Sequence, residues 1–103
     1  MTAIGILSVA PVIEESMAAH VADAVAVLDT YAVEYETTAM GTIIEAESAD
    51  VLFEAASAAH AAVDADRVST FLKIDDKRAW DGQAQDKVDA VEATLGRPAR
   101  SNE

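Results

Sequence analysis

Apolar residues recur along this chain with three different spacings, and the switches between them mark the elements. Ala3-Ile4-Gly5-Ile6-Leu7-Ser8-Val9 is a short, mostly apolar run suited to a central strand, and Pro11 should stop it. Glu14, Glu15 and Ser16 then suit a helix start, as caps or as first-turn acids. Met17, Val21, Ala24, Val25 and Leu28 follow at steps of three and four, one apolar stripe on a helix of roughly 14 residues. From Val33 to Thr38 the period drops to two: Val33, Tyr35 and Thr37 share one face, and Glu34, Glu36 and Thr38 share the other. Met40-Gly41 interrupts, and Thr42 to Ala46 resumes as a strand, so the short connection predicts an antiparallel hairpin. Ser48 is placed to cap a second helix over 49–64, whose stripe is Leu52, Ala55, Ala59 and Val63. Residues 67–75 alternate again, with Val68, Thr70, Leu72 and Ile74 against Ser69, Phe71, Lys73 and Asp75, and Asp76-Lys77-Arg78 closes the run. Trp80, Ala84, Val88, Val91 and Leu95 are spaced for a third helix, which Gly96 can cap and Pro98 keeps from continuing.

The order is strand, helix, strand, strand, helix, strand, then an extra helix. That predicts an α+β fold, a ferredoxin-like β-α-β-β-α-β sandwich with an additional C-terminal helix. One domain over 1–96 is expected, with 97–103 as a flexible tail. The first two helices would cover one face of an antiparallel sheet. Phe71 and Lys73 would lie on the open face, where an exposed aromatic favours docking of another subunit or of the terminal helix.

Charge changes this picture most. The 103 residues carry a net charge of -12. Residues 1–66 hold twelve acids and no Lys or Arg, while 67–103 hold seven acids against seven bases. Such a field repels nucleic acid phosphates and anionic membranes, so neither is expected as a partner. It suits a halophile's protein, whose carboxylates keep it dispersed where salt screens repulsion. There is no cysteine, which removes disulfides and thiol chemistry. No apolar run approaches the ~20 residues of a membrane span. The first residues lack the basic flank of a secretory signal, and a cytoplasmic location is expected.

No phosphate loop, dinucleotide glycine signature, nucleophile elbow or zinc pattern is present, so no catalytic residue, metal or cofactor is expected. His20 and His60 lack a metal-ligand spacing and read as helix-edge residues. Asp75 and Asp76 are adjacent on a strand end and point to opposite faces, a poor arrangement for a paired-carboxylate site. One of them is expected to pair with Lys73, Lys77 or Arg78. The remaining polar residues of interest are Ser8, Ser16, Thr38, Thr42, Glu45, Lys73 and Asp75. If they converge, hydroxyls, a main-chain amide near Gly41 and a carboxylate would grip an amino-substituted heterocycle, with Met40 covering its apolar face. Each also has an ordinary role: strand threonines, a capping serine, a surface acid.

The stretch from Tyr35 to Glu45 resembles the signature of the small thiamine-binding, YKOF-like family, also described as MTH1187-type proteins. Ser16 to Ala22 resembles its first-helix start, Ala59 to Val63 its second-helix end, and Lys73-Ile74-Asp75-Asp76-Lys77-Arg78 its last strand end. The likeness covers roughly residues 4–96, with departures at Pro11-Val12-Ile13 and Ala79-Trp80-Asp81-Gly82. It implies a ferredoxin-like subunit of a homodimer or homotetramer that binds thiamine or its hydroxymethylpyrimidine part in salvage or transport, without catalysis. Carried over, Ser16, Thr38, Met40, Gly41 and Thr42 become pocket candidates, and Glu45 joins them from the polar residues of interest. Two other readings stay open: an assembly or regulatory protein acting through its sheet face, and a small enzyme using Glu45 or Asp75 as acid/base.

Overall fold

The computed structural model describes residues 1–101. Four strands, β1 (Thr2–Pro11), β2 (Glu34–Thr38), β3 (Gly41–Ala46) and β4 (Val68–Lys77), alternate with three helices, α1 (Ala18–Val27), α2 (Ala49–Ala61) and α3 (Ala84–Leu95). This is the expected β-α-β-β-α-β order with a C-terminal helix. The strands form one antiparallel sheet in the order β2-β3-β1-β4. Helices α1 and α2 pack against each other and against one face of it.

The core follows from the alternation of β1. Ala3, Leu7 and Val9 point to the helix layer and are buried; Ile4, Ile6, Ser8 and Ala10 point to the other face. Leu52, Ala55, Ala56, Ala59 and Val63 meet them from the second helical segment, and Ala24 and Leu28 from the first. The alanines let α2 lie close to the sheet, while Leu28, Ile44 and Leu52 supply the bulk. Each fully buried Leu or Ile contributes about 1.5–3 kcal/mol. Ser48 caps α2 as expected, its Oγ accepting from Val51 N at 3.5 Å.

Several boundaries differ from the sequence reading. Strand β1 runs through Pro11, which sits opposite Val68 at the strand's last position. A proline is tolerated there because β3 no longer pairs alongside. Helix α1 starts at Ala18, after Glu14, Glu15 and Ser16, so no acid lies in its first turn. Strand β4 extends through Asp76 and Lys77 because Ala3 and Thr2 of β1 are there to pair with them. Trp80 precedes α3 rather than riding on it, with Lys77 Nζ 4.9 Å from its ring centroid. Asp86 fixes the helix start instead, its Oδ2 accepting from Gln83 N at 2.9 Å while its own N donates to Gln83 O at 2.9 Å. Gly96 ends α3 in the left-handed conformation, φ 74°. In the expected tail, Ala99 N donates to Glu92 Oε2 at 2.8 Å; residues 102 and 103 lie outside the described residues.

Helix α3 has no buried residue. Ala84 N donates to Glu45 Oε2 at 3.1 Å, and Lys87 Nζ to Asp75 Oδ2 at 2.6 Å, which ties its first turn to the open face. Val88, Val91 and Leu95 remain exposed. The radius of gyration, 15.1 Å, exceeds the roughly 13 Å of a compact chain this long, in keeping with a flat body and a projecting helix.

Candidate functional site

The apolar stripe that runs from Met17 to Leu28 serves the core and a cavity together. Ala24 and Leu28 are buried in the core. With Met17, Val21 and Val25 they also line a cavity of about 280 Å³ between α1, β1 and the β2–β3 hairpin. That volume lies just below the usual range of small-molecule pockets, roughly 300–1,000 Å³, and suits one substituted ring.

The hairpin supplies the polar wall. Strand alternation turns Thr37 and Thr42 toward the helix layer, where they are cross-strand partners with hydroxyl oxygens 3.0 Å apart. Thr42 is buried. Two hydroxyls sharing one hydrogen bond use one proton between them, so the other O–H is free to donate into the cavity. Thr38 is spent on the turn itself. Its Oγ1 donates to Gly41 O at 2.7 Å and accepts from Met40 N at 3.2 Å. That closes the two-residue connection Ala39-Met40 and leaves Met40 83% exposed at the rim. Gly41 cannot be another residue cheaply. Its φ is +148°, and an added Cβ would stand 3.1 Å from Leu7 O and 3.2 Å from Ile6 Cγ1.

A main-chain wall completes the site. Strand β3 begins at Gly41, and its pairing with β1 reaches only to Leu7↔Thr42. Beyond that point Ser8, Val9 and Ala10 pair with β4 on one side and line the cavity on the other. Their inward main-chain groups can hydrogen-bond a ligand. Sequence reasoning named Ser8 among the polar residues of interest but missed the wall itself, because an unzipped edge has no residue-type signature.

The cavity thus brings together Thr38, Met40, Gly41 and Thr42 of the six pocket candidates, with Ser8 of the wider polar set, adds Thr37 and Met17, and omits the candidates Ser16 and Glu45. Ser16 is exposed just ahead of α1, its Oγ accepting from Ala18 N at 3.3 Å. Glu45 points to the opposite sheet face from Thr42, three residues along the strand, and its carboxylate is taken by Ala84 N. Among the described residues no carboxylate lines the cavity, so it is an uncharged pocket in a strongly acidic protein.

The other nominated groups are engaged elsewhere. Asp75 pairs with Lys87 of α3, a partner outside the nominated set, and its hydrogen bond and charge hold its carboxyl below the usual range. Asp76 accepts from Arg78 at 3.0 Å. His60 Nδ1 lies 2.5 Å from Thr70 Oγ1, an ordinary helix-to-sheet contact. Tyr35 donates to Asp29 Oδ1 at 2.6 Å, which raises the phenol above its ordinary value. Among the described residues, no group of three or more His, Asp or Glu side chains is placed to hold a metal ion. Nor, among the described residues, is any helix long and apolar enough to cross a membrane.

A family model described as thiamine-binding protein matches residues 6–92. The UPF0045 protein of Methanothermobacter thermautotrophicus is 47% identical over 83 residues, 78% of this chain and 84% of that one. The crystal structure of the hypothetical protein MJ1052 of Methanocaldococcus jannaschii superposes with a TM-score of 0.80 at 31% identity, covering 87% of this chain and 95% of that one. A Thermotoga maritima protein provisionally assigned to thiamine biosynthesis or salvage superposes with a TM-score of 0.74, covering 88% and 99% of the two chains. Its identity is 17%, so that likeness concerns the fold alone.

Proposed function

Since the chain belongs to the thiamine-binding protein family, we propose that it binds thiamine or its hydroxymethylpyrimidine part in the cavity under the β2–β3 hairpin. The observation that carries this reading is the Thr37–Thr42 hydroxyl pair facing an uncharged cavity sized for one ring. An aminopyrimidine is flat and uncharged at neutral pH, with ring nitrogens that accept and an exocyclic amine that donates. The free threonine O–H answers a ring nitrogen, a main-chain carbonyl of Ser8–Ala10 answers the amine, and the thioethers of Met17 and Met40 cover the ring. Thr38 and Gly41 act by shaping the hairpin around the ligand. Neither Ser16 nor Glu45 belongs to this set.

The reading is one of binding without conversion, in salvage or transport in the cytoplasm. The cavity wall carries hydroxyls and main-chain groups, with no acid/base pair aimed into it. Calorimetric titration with thiamine and with hydroxymethylpyrimidine, at high salt, should give saturable heat at one ligand per chain. No heat from either compound overturns the proposal, and a chemically altered ligand after long incubation overturns its non-enzymatic part.

A second reading, an assembly or regulatory role for the open sheet face, is favoured by one observation. Phe71 is 60% exposed there, and the apolar side of α3 is exposed as well. These surfaces also support a homo-oligomer, dimer or tetramer, as the form that binds ligand. A heterologous protein co-purifying in fixed proportion, together with a silent titration, would favour the second reading over the first.

A further inference from the structure

Charge divides this molecule along its sheet. All seven Lys and Arg residues stand at position 67 or later. Lys73 lies opposite Ile6 on the open face, and Lys87 of α3 is held to that face by Asp75. Lys77 lies opposite Thr2, at the far end of β1 from Ala10, and Arg78 follows it. Arg97 and Arg100 come after α3. The Arg67 carbonyl accepts from Val12 N at 2.8 Å. Arg67 immediately precedes Val68, which packs on the core, so alternation turns its side chain toward the open face. The cavity lies on the other side of this partition. It is lined from residues 7–42 alone, a stretch without a single Lys or Arg.

Its mouth is acidic instead. Met17 and Met40 are the exposed apolar side chains where the cavity opens. The segment that joins Ala10 to Met17, both lining residues, carries Glu14 and Glu15, both exposed. At about 3.8 Å between successive Cα atoms, the Cα of Glu15 stands no more than about 8 Å from that of Met17, and that of Glu14 no more than about 11 Å. One feature of this rim favours an anion, the start of α1. It is outweighed: a helix end carries about half a positive charge, Ser16 Oγ already accepts from Ala18 N, and two whole negative charges stand just ahead of it.

We infer that the cavity takes its ligand free of phosphate and rejects the phosphate esters of the same compound, a selectivity that rests on the ligand reading above and adds which form is held. With the pyrimidine inside a cavity sized for one ring, its substituent leaves through the mouth. In thiamine that substituent is a thiazolium, a cation that the two carboxylates favour. In a phosphate ester of either compound the outermost group carries a charge of about -1.5 to -2. It meets Glu14 and Glu15 and finds no base on any element that lines the cavity. An anion drawn out of water without a paired cation is disfavoured. The chain thus carries the free alcohol and not the ester.

Calorimetric titration of the full chain with hydroxymethylpyrimidine, its phosphate ester, thiamine and thiamine monophosphate tests this. The series runs from about 1 M down to about 0.1 M salt, over which the screening length grows from about 3 to about 10 Å. At the lower salt each ester is expected to bind about tenfold or more weakly than its parent, and the gap should narrow as salt rises. The double variant E14Q/E15Q should narrow the gap severalfold at low salt, yet leave the uncharged hydroxymethylpyrimidine within about twofold of its wild-type affinity. An ester that binds as tightly as its parent overturns the selectivity and leaves the ligand reading standing. So does a gap that the double variant leaves unchanged. Silence from all four compounds overturns both.

Discussion

Thr37 and Thr42 face each other across β2 and β3 with their hydroxyl oxygens 3.0 Å apart, and both line the cavity. Replacing Thr42 by Val keeps its shape and removes a donor. Affinity for the pyrimidine should fall about two- to twelvefold, the range for one hydrogen bond of roughly 0.5–1.5 kcal/mol. Calorimetry on Thr42→Val, with the melting temperature followed in parallel, checks this. Unchanged affinity would place the ligand away from the hydroxyl pair.

Gly41→Ala tests the hairpin's geometry. At φ +148° an alanine is strained, and its Cβ would press on Leu7 O and Ile6. The expected cost is about 1–3 kcal/mol. A denaturant midpoint equal to wild type would show that the hairpin can shift without loss.

Glu45→Gln separates the two sheet faces. Its carboxylate accepts from Ala84 N at the start of α3, so amide exchange over Ala84–Leu95 should quicken while ligand affinity stays within twofold of wild type, about 0.4 kcal/mol or less. An affinity loss beyond about tenfold would return Glu45 to the binding site.

Two exposed groups give pH dependences of opposite sign. Asp75 is held below its ordinary value by Lys87, so its contribution is complete above the unfolded carboxyl's pKa and is lost as pH falls through the depressed folded one. Asp75→Asn should flatten only the acid limb of the stability profile. Tyr35 is raised by Asp29, so its contribution is complete below the unfolded phenol's pKa and is lost as pH rises through the elevated folded one. Tyr35→Phe should flatten only the alkaline limb. Melting curves across pH read both, and a limb that does not change removes the corresponding contact from the account.

The fold was legible because each element kept one period throughout: alternation in β4, three-and-four spacing in α2. The lining of the candidate cavity was half legible. Thr38, Met40, Gly41 and Thr42 stand together in sequence, and a hairpin keeps sequence neighbours together in space. Glu45 sits in the same stretch, but the alternation that sends Thr42 inward sends Glu45 to the other face, which proximity in sequence hides. Ser16 gave way to its neighbour Met17 because α1 began later than its acids suggested. Trp80 carries the right spacing for a helix, yet the Gln83–Asp86 contact decided where that helix starts. The Ser8–Ala10 wall depends on where one strand outruns another, a tertiary fact that no residue type announces.

The long register between β1 and β4 bears on how the chain is made. Thr2 meets Lys77 and Pro11 meets Val68, so β1 is completed only by β4, the last strand among the described residues. Until Val68–Lys77 is synthesised, one whole side of the apolar run Ile4–Val9 stays without its partner, and sheet closure must wait for a distant segment. The carboxylates that fill residues 1–66 are made in that same interval, and their mutual repulsion keeps neighbouring nascent chains apart while the central strand is uncovered.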